Sequence, residues 1–386
     1  MDSVKLPVLE VRTVALDDAG ELLEWTSPDA PLAFLRRGDG IVGLGEAVRV
    51  PAASWTALAD AALVDDSVGM PGSGLVAFGS FPFRRDRPQE LVVPAVVVGR
   101  RDGRSWVTTV GAAAAERTPL GAAPTAELSP GAVTAAAYRD AVAAATRAIA
   151  AGRASKVVLA RDLGGSIPPD SDRRATLARL AAAYPDTWAF AVDGMLGASP
   201  ETLVRVSRGE VTARVLAGTA APALDDAAPL SSAKNRSEHE FAVRSVLETI
   251  APLAADVSHT DPFILTLPNL RHLATDVRGA LAPGRSVLDL VAALHPTAAV
   301  GGTPTDAALE LIAELEPLDR DRYAGPVGWV DAAGDGEWAI ALRCARITPD
   351  GAVTAWAGAG IVADSDPDAE LAETGLKLRP VIDALS

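Results

Sequence analysis

The chain has 386 residues, 35 Lys+Arg against 50 Asp+Glu, a formal charge of -15 and 49% hydrophobic residues. That length holds two or three domains or one large α/β or all-β unit. An acidic excess of this size excludes broad cationic binding to nucleic acid or anionic lipid, which draws its affinity from clustered Lys and Arg. Cys344 is the single cysteine and there are four histidines, so neither a disulfide nor a zinc set of thiolates and imidazoles is expected. The N-terminal MDSVKLPVLEVRTVALDD has no apolar signal core, and no run reaches about 18 apolar residues. A cytoplasmic protein without a membrane span is expected.

Short apolar or alternating runs fill the first 110 residues: Val8–Val14, Leu32–Leu35, Ile41–Val50, Leu75–Phe81, Leu91–Val98 and Trp106–Val110. Gly-Asp-Gly at 38–40 and Asp-Gly at 102–103 read as hairpin turns. No helix pattern follows GDGIVGLG, so its glycines read as a twisted hairpin and not as a nucleotide loop. An Ala/Pro/Thr-rich stretch over 112–135 is the best boundary, giving a strand-rich region 1–125 and a second region 126–386.

Beyond it the pattern predicts a helix over Tyr138–Ala151, a buried strand SKVVLARDL over 155–163 and a helix over 171–184. Strands follow at 187–193, 201–207 and 210–216, then a long helix over about 232–255 and a short strand at 263–267. Helices at Leu288–Leu294 and Thr305–Leu315 flank a Pro/Gly segment. Strands return at 326–331, 337–347 and 352–357, and a last helix runs from Pro367 to Leu385. Helices and strands interleave without a regular βαβ beat, which predicts a mixed α+β unit.

Several constellations could carry chemistry. On the last helix Glu370, Glu373 and Lys377 stand at i, i+3 and i+7 beside an apolar stripe of Leu371, Leu378, Val381, Ile382 and Leu385. The two carboxylates are either a solvated acidic first turn or half of an oxygen-only site of the kind that suits Mg²⁺. Glu238, in the first turns of the long helix with Lys234, Asn235, His239 and Glu240, could add a further carboxylate or simply be solvated. Lys156 sits on a strand that is apolar on both faces, so its ammonium either reaches an edge or is desolvated and becomes a base. In GASPETL, Glu201 follows Ser-Pro at a strand start, where apolar neighbours would raise its pKa. The turns LAGT (216–219), VGGTPT (300–305) and AGAGI (357–361) are tight turns or anion cradles. Arg343, among apolar residues of WAIALRCARI, needs an anion if it points inward. His272 and His295 stand beside apolar residues and read as core histidines or as site residues.

The order of these segments resembles the chorismate-utilising enzymes. The matching runs are SKVVLARDL, FAVDGMLGASPETL, VLAGTAAP, KNRSEHEFAVRSV, LRHLATDVRGAL, LHPTAAVGGTP, EPLDRDRYAGPVGWVD, GEWAIALRCARI and WAGAGIVADSDPDAELAETGLKL, which cover most of 138–386. The resemblance implies that family's α+β fold of two stacked antiparallel-rich β-sheets flanked by helices, with 126–386 as the chorismate-binding catalytic region. A lysine at the Lys156 position marks members that add water at ring carbon 2. Ala217 stands where aminodeoxychorismate synthases carry a nucleophilic lysine. Ala299 and the run GWVDAAGDGEWAIALRCARI are similar to the isochorismate synthases. The implied reaction is therefore Mg²⁺-dependent conversion of chorismate to isochorismate, with salicylate synthase activity as the alternative because Tyr323 also fits that group.

By the same resemblance Lys156 is the base for water and Glu201 the acid for the departing C4 hydroxyl. A direct ion pair would drive both pKa values the wrong way, so the two are expected at opposite ends of the ring and not bonded to each other. Glu238, Glu370 and Glu373 form the implied Mg²⁺ site, Glu238 and Glu373 binding directly and Glu370, with Asn235, reaching the metal through water. Gly218, Thr219 and Lys377 would take the ring carboxylate; Arg343, Tyr323, Gly358 and Gly360 the enolpyruvyl carboxylate; His272 and Ala299 would lie near the ring. The chain is expected as a monomer without an obligatory protein partner, feeding menaquinone or siderophore biosynthesis.

Overall fold

Period-2 apolar patterning dominates this chain and hydrogen-bonds into sheets. A computed structural model describes residues 6–220, 233–266 and 271–386, with side chains described outside 217–220, 233–238, 266 and 271–272. The fold is mixed α+β on two antiparallel-rich sheets, as expected from the sequence. Among the described residues there are seven α-helices: α1 (Trp55–Ala61), α2 (Ala135–Ala150), α3 (Arg173–Ala183), α4 (Ala233–Ile250), α5 (Val287–Leu294), α6 (Thr305–Leu315) and α7 (Pro367–Ala384). None of the described helices is long and apolar enough to cross a membrane.

The chain divides into two compact units. The first comprises residues 1–201, 296–332 and 339–386, and the connector over 112–128 lies inside it. Its main sheet runs in spatial order Ser129–Pro130, Lys156–Ser166, Ala352–Ile361, Cys344–Ile347, Met195–Ser199, Trp188–Val192, Leu32–Arg36, Asp39–Leu44, Val96–Arg101, Arg104–Val110, Glu10–Leu16 and Leu63–Asp66. Gly302–Thr303 pairs beside Lys156–Val157. Only the last pair, Glu10–Leu16 with Leu63–Asp66, is parallel. A smaller antiparallel set, Pro326–Asp331, Val76–Ser80, Glu90–Val93 and Val48–Pro51, belongs to the same unit.

Both expected hairpins form. Their turns are Arg37–Gly38 and Asp102–Gly103, all four residues with φ between 52° and 80°, the geometry a two-residue hairpin requires. The run expected as one strand over Leu91–Val98 breaks at Pro94 into Glu90–Val93 and Val96–Arg101, since proline cannot donate to a ladder.

Helix α7 is started by Asp366, whose carboxylate accepts from the amides of Asp368 and Ala369, with Pro367 at the first helical position. Its Leu378, Val381 and Ala384 enter the core with Val353, Ala355 and Ala357 of the Ala352–Ile361 strand. A buried Leu or Val contributes about 1.5–3 kcal/mol. That anchoring fixes which way Glu370, Glu373 and Lys377 point.

The second unit comprises residues 202–295 and 333–338. Its antiparallel strands are Thr202–Ser207, Glu210–Ala220, Arg271–Leu281 and Ala254–His259, with Phe263–Thr266 beside Arg271–Leu281. Helices α4 and α5 belong to it, α5 opened by a reciprocal capping box between Ser286 and Asp289. Within this unit His239 is buried, and its Nε2 shares a 2.7 Å hydrogen bond with Thr275 Oγ1.

Candidate active site

Four neighbouring strands of the first unit bring their site residues to the same end of the sheet. Val158 faces Gly360 and Ala160 faces Gly358 across one ladder, Cys344 faces Trp356 across the next, and Gly197 faces Cys344 across the third. Lys156, Gly358 and Gly360, Arg343 and Glu201 therefore collect beyond that end. Tyr323, Ala299 and α7 belong to the same unit. The expected residues of the second unit are a separate matter: Gly218 lies in the Glu210–Ala220 strand, and the side chains of Thr219, Asn235, Glu238 and His272 lie outside those described.

Lys156 begins its strand opposite Thr303 and is half-buried. A β-carbon placed on Gly360 would stand 2.7 Å from Lys156 Cε, so the lysine stem crosses bare backbone.

Glu201 leaves the Met195–Ser199 strand through Pro200 and is pinned by its backbone: its carbonyl accepts from Ile340 N at 3.0 Å, while its amide donates to Ser199 Oγ at 3.2 Å. Its pKa is raised, first by burial and against the opposing pull of Lys156, Arg343 and Lys377. Among the described residues no cation comes within ion-pair distance of its carboxyl. The group is an acid that holds its proton above the usual carboxylate range.

The expected strand 337–347 is two strands, Gly336–Ile340 and Cys344–Ile347, interrupted where Arg343 adopts φ 50°. Left-handed backbone costs a non-glycine residue roughly 1–2 kcal/mol. Reciprocal bonds hold the break: Ala324 N donates to Ala341 O at 2.9 Å, Ala341 N to Gly325 O at 2.8 Å, and Ala198 N to Arg343 O at 3.2 Å. The same break turns the guanidinium out of the ladder. Burial pushes its pKa down, and the groups that offset this, Tyr323, Glu201, Glu373 and Cys344, act without a hydrogen bond to it. Arginine stays charged in proteins. A desolvated cation with no acid partner among the described residues is a receptor for an anion.

Tyr323 is 4% exposed and stacks on Trp356, ring centroids 6.1 Å apart. A β-carbon on Gly358 would lie 3.2 Å from its hydroxyl and 2.9 Å from Leu159 O. Both ladder glycines thus clear space for side chains, Gly358 for Tyr323 and Gly360 for Lys156. Burial raises the Tyr323 pKa, keeping the phenol a neutral donor. Ala299 lies exposed on the turn before Val300. His295, at the C-terminal end of α5 in the second unit, is buried.

On α7, Lys377 Nζ donates to Gly358 O at 2.9 Å and pairs with Glu373 Oε1 at 2.5 Å. Ser365 Oγ donates to Glu370 Oε1 at 2.6 Å. The Glu370 pKa is raised by burial and by Glu373, with Ser365 and Lys377 opposing. Two adjacent carboxylates, one resisting ionisation, form an oxygen-only donor set that a hard cation would relieve. Among the described residues no three acids, histidines or cysteines are close enough to hold a metal. The third expected ligand, Glu238, lies outside the described side chains.

Sequence reasoning did not single out Tyr138, Glu316, Arg320 or Ser365. Tyr138 is fully buried, its hydroxyl 3.3 Å from Leu159 O. Glu316 and Arg320 are each 3% exposed, an i, i+4 pair readable in EPLDR but indistinguishable there from a surface pair.

A two-sheet α+β frame with an acid and a desolvated, half-buried arginine gathered at one sheet end defines a receptor for a small anion with proton-transfer groups. The chorismate binding enzyme model matches residues 113–386, and the chain belongs to that family. It is 38% identical over 337 residues, 81% of this chain and 87% of the other, to a Mycobacterium tuberculosis (strain H37Rv) protein that carries the MenF name. It is 37% identical over 258 residues to isochorismate synthase EntC of Escherichia coli K12, covering 64% of this chain and 66% of that one. Among solved structures, the menaquinone-specific isochorismate synthase MenF from Escherichia coli superposes with a TM-score of 0.81 at 25% identity, covering 99% of this chain and 95% of that one.

Proposed function

We propose that this chain is an isochorismate synthase, isomerising chorismate to isochorismate. The observation that carries the reading is the pairing of an anion receptor, Arg343, with a carboxyl that holds its proton, Glu201, at the sheet end where Lys156 begins its strand.

Water attacks ring carbon 2, both conjugated ring double bonds shift (C1=C2 to C1=C6 and C5=C6 to C4=C5), and the C4 oxygen leaves. Lys156 Nζ takes the proton from water and Glu201 gives one to the departing hydroxyl. The bond formed is C2–O, the bond broken is C4–O, and one water enters as one leaves. The turnover leaves Lys156 protonated and Glu201 ionised, so the pair is reset by proton exchange with solvent.

Arg343, with the Tyr323 hydroxyl, holds the enolpyruvyl carboxylate in a charge-assisted bond. Lys377, fixed between Gly358 O and Glu373, is assigned to the ring carboxylate, as are Gly218 and Thr219. By family resemblance His272 and Ala299 are assigned to the ring. Glu370 and Glu373 of α7, with Glu238, would hold Mg²⁺, which fits their oxygen-only chemistry. Bound there, the ion supplies positive charge for the ring carboxylate.

Incubation of purified protein with chorismate and Mg²⁺, followed by product separation, tests the reading. Isochorismate without pyruvate is expected. Salicylate with equimolar pyruvate would replace the reading by a synthase-lyase, and no turnover would remove it.

A further inference from the structure

The strand Lys156–Ser166 has Ala352–Ile361 along one side from Val157 to Ser166. On the other side Gly302–Thr303 pairs only with Lys156–Val157, and Ser129–Pro130 only with Leu163–Gly164. The backbone groups between them need partners, because a buried amide or carbonyl left alone is costly.

Side chains supply those partners. Glu316 Oε1 accepts from Ala160 N at 2.6 Å, Arg320 Nη2 donates to Val158 O at 2.7 Å, and Arg320 Nη1 donates to Val300 O at 2.9 Å. The two side chains are joined by a fork, Nε to Oε2 at 2.8 Å and Nη2 to Oε1 at 2.5 Å, and the guanidinium lies over Phe83 at 4.3 Å. Val158 N reaches Gly301 O at 2.9 Å, and Tyr323 N reaches the Arg320 carbonyl at 2.8 Å. One buried ion pair therefore ties together three segments: the strand two residues from Lys156, the turn that carries Ala299, and the turn that carries Tyr323.

We propose that Glu316 and Arg320 are a positioning pair that stands in for a missing strand and fixes Lys156 relative to Tyr323 and the 297–301 turn. A well-packed apolar pair could fill this volume with equal or greater stability, so retention of two charges here reflects the geometry they impose. Only a planar fork can serve Glu316, Val158 and Val300 at once; a lysine presents a single nitrogen. The pair is not among the residues assigned to substrate or metal, and it acts through the backbone groups of Val158, Ala160 and Val300. Its link to catalysis rests on the reading of Lys156 as the base.

Arg320→Lys in the full chain tests this with two readouts. Turnover of chorismate should fall at least tenfold in kcat with KM within threefold. Acetylation of Lys156 by limiting acetic anhydride without substrate, quantified by peptide mass spectrometry against an added reference peptide, should accelerate at least threefold. A merely structural role would lower the melting temperature and leave the labelling of the folded protein unchanged. Unchanged labelling in the folded variant overturns the proposal, as does a kcat within twofold of the parent. Should Arg320→Lys not fold, Glu316→Gln, which keeps an acceptor for Ala160, is judged by the same criteria. If the parent itself does not convert chorismate, the functional reading falls, while the labelling rate still decides the positioning role.

Discussion

Lys156 lies across the bare backbone of Gly360, its Cε 2.7 Å and its Nζ 3.4 Å from where a β-carbon on that glycine would stand. The proposed base is thus held by an absent side chain on the neighbouring strand. Adding a methyl there moves the far end of a flexible lysine and not a backbone atom. Gly360→Ala should keep its fold, with a melting temperature within about 2 °C of the parent. Chorismate turnover should fall about 100-fold, the scale of a misplacement near 1 Å. A variant of unchanged kcat would remove Lys156 from the proton transfer. Gly358→Ala behaves differently, because its methyl would meet Leu159 O at 2.9 Å. Backbone must then move, and the loss appears in thermal stability as well as in rate.

Arg343 carries two costs in the folded chain, left-handed backbone and a half-buried, desolvated cation with no acid partner among the described residues. Strain and desolvation of this kind persist where function needs them. Arg343→Met removes the charge and leaves the backbone. Its thermal midpoint should rise, by an amount corresponding to about 1 kcal/mol or more, as when apolar groups replace buried charges. The KM for chorismate should rise roughly 10- to 150-fold, the equivalent of a charge-assisted hydrogen bond of about 1.5–3 kcal/mol. Calorimetry with steady-state kinetics checks both. A loss of stability together with an unchanged KM would sink the anion-receptor assignment.

The elements that set this site were unequally legible in sequence. Helix α7 was plain, because Pro367, the acidic first turn and the apolar stripe all agree. The run 337–347 was not, since alternation continues through Leu342 and Arg343 although reciprocal bonds from Ala324 and Gly325 break the strand there. Met195–Ser199 and Ala254–His259 escaped because neither carries an uninterrupted alternating run. Lys156, Glu201 and Arg343 were each ambiguous alone. What separates them from ordinary surface or core groups is the register that places Val158 beside Gly360 and Gly197 beside Cys344, which no local pattern encodes. The Glu316–Arg320 pair shows the same limit: four residues apart in sequence, its partners lie at 158, 160 and 300.

The α7 carboxylates predict a separable metal effect. Glu373 already shares one oxygen with Lys377, and Glu370 resists ionisation beside it. Mg²⁺ should raise the melting temperature of the parent without any substrate, because a ligand that binds only the folded state stabilises it by mass action. Glu373→Gln should need at least tenfold more Mg²⁺ for the same rise and for half-maximal turnover. A chelator-treated parent that keeps full activity, or a melting temperature indifferent to Mg²⁺, would refute the site.

Glu201 yields a prediction with a definite sign in pH. Its folded pKa is raised by burial, with Lys156, Arg343 and Lys377 pulling the other way. A folded state that holds a proton more tightly than the unfolded chain is stabilised by that group at low pH. The contribution is fully present below the unfolded value, and it is lost as pH rises through the raised one. Glu201→Gln mimics the protonated form at every pH. Its melting temperature should match that of the parent near pH 4 and exceed it by a growing margin towards pH 8. Turnover should show the complementary behaviour. The parent loses rate as Glu201 ionises, and Glu201→Gln is slowed by about 10²–10⁴ across the range, the usual contribution of a positioned acid. A stability difference that shrank with rising pH would mean that the carboxyl is ionised in the folded state, and would exclude it as the donor to the departing hydroxyl.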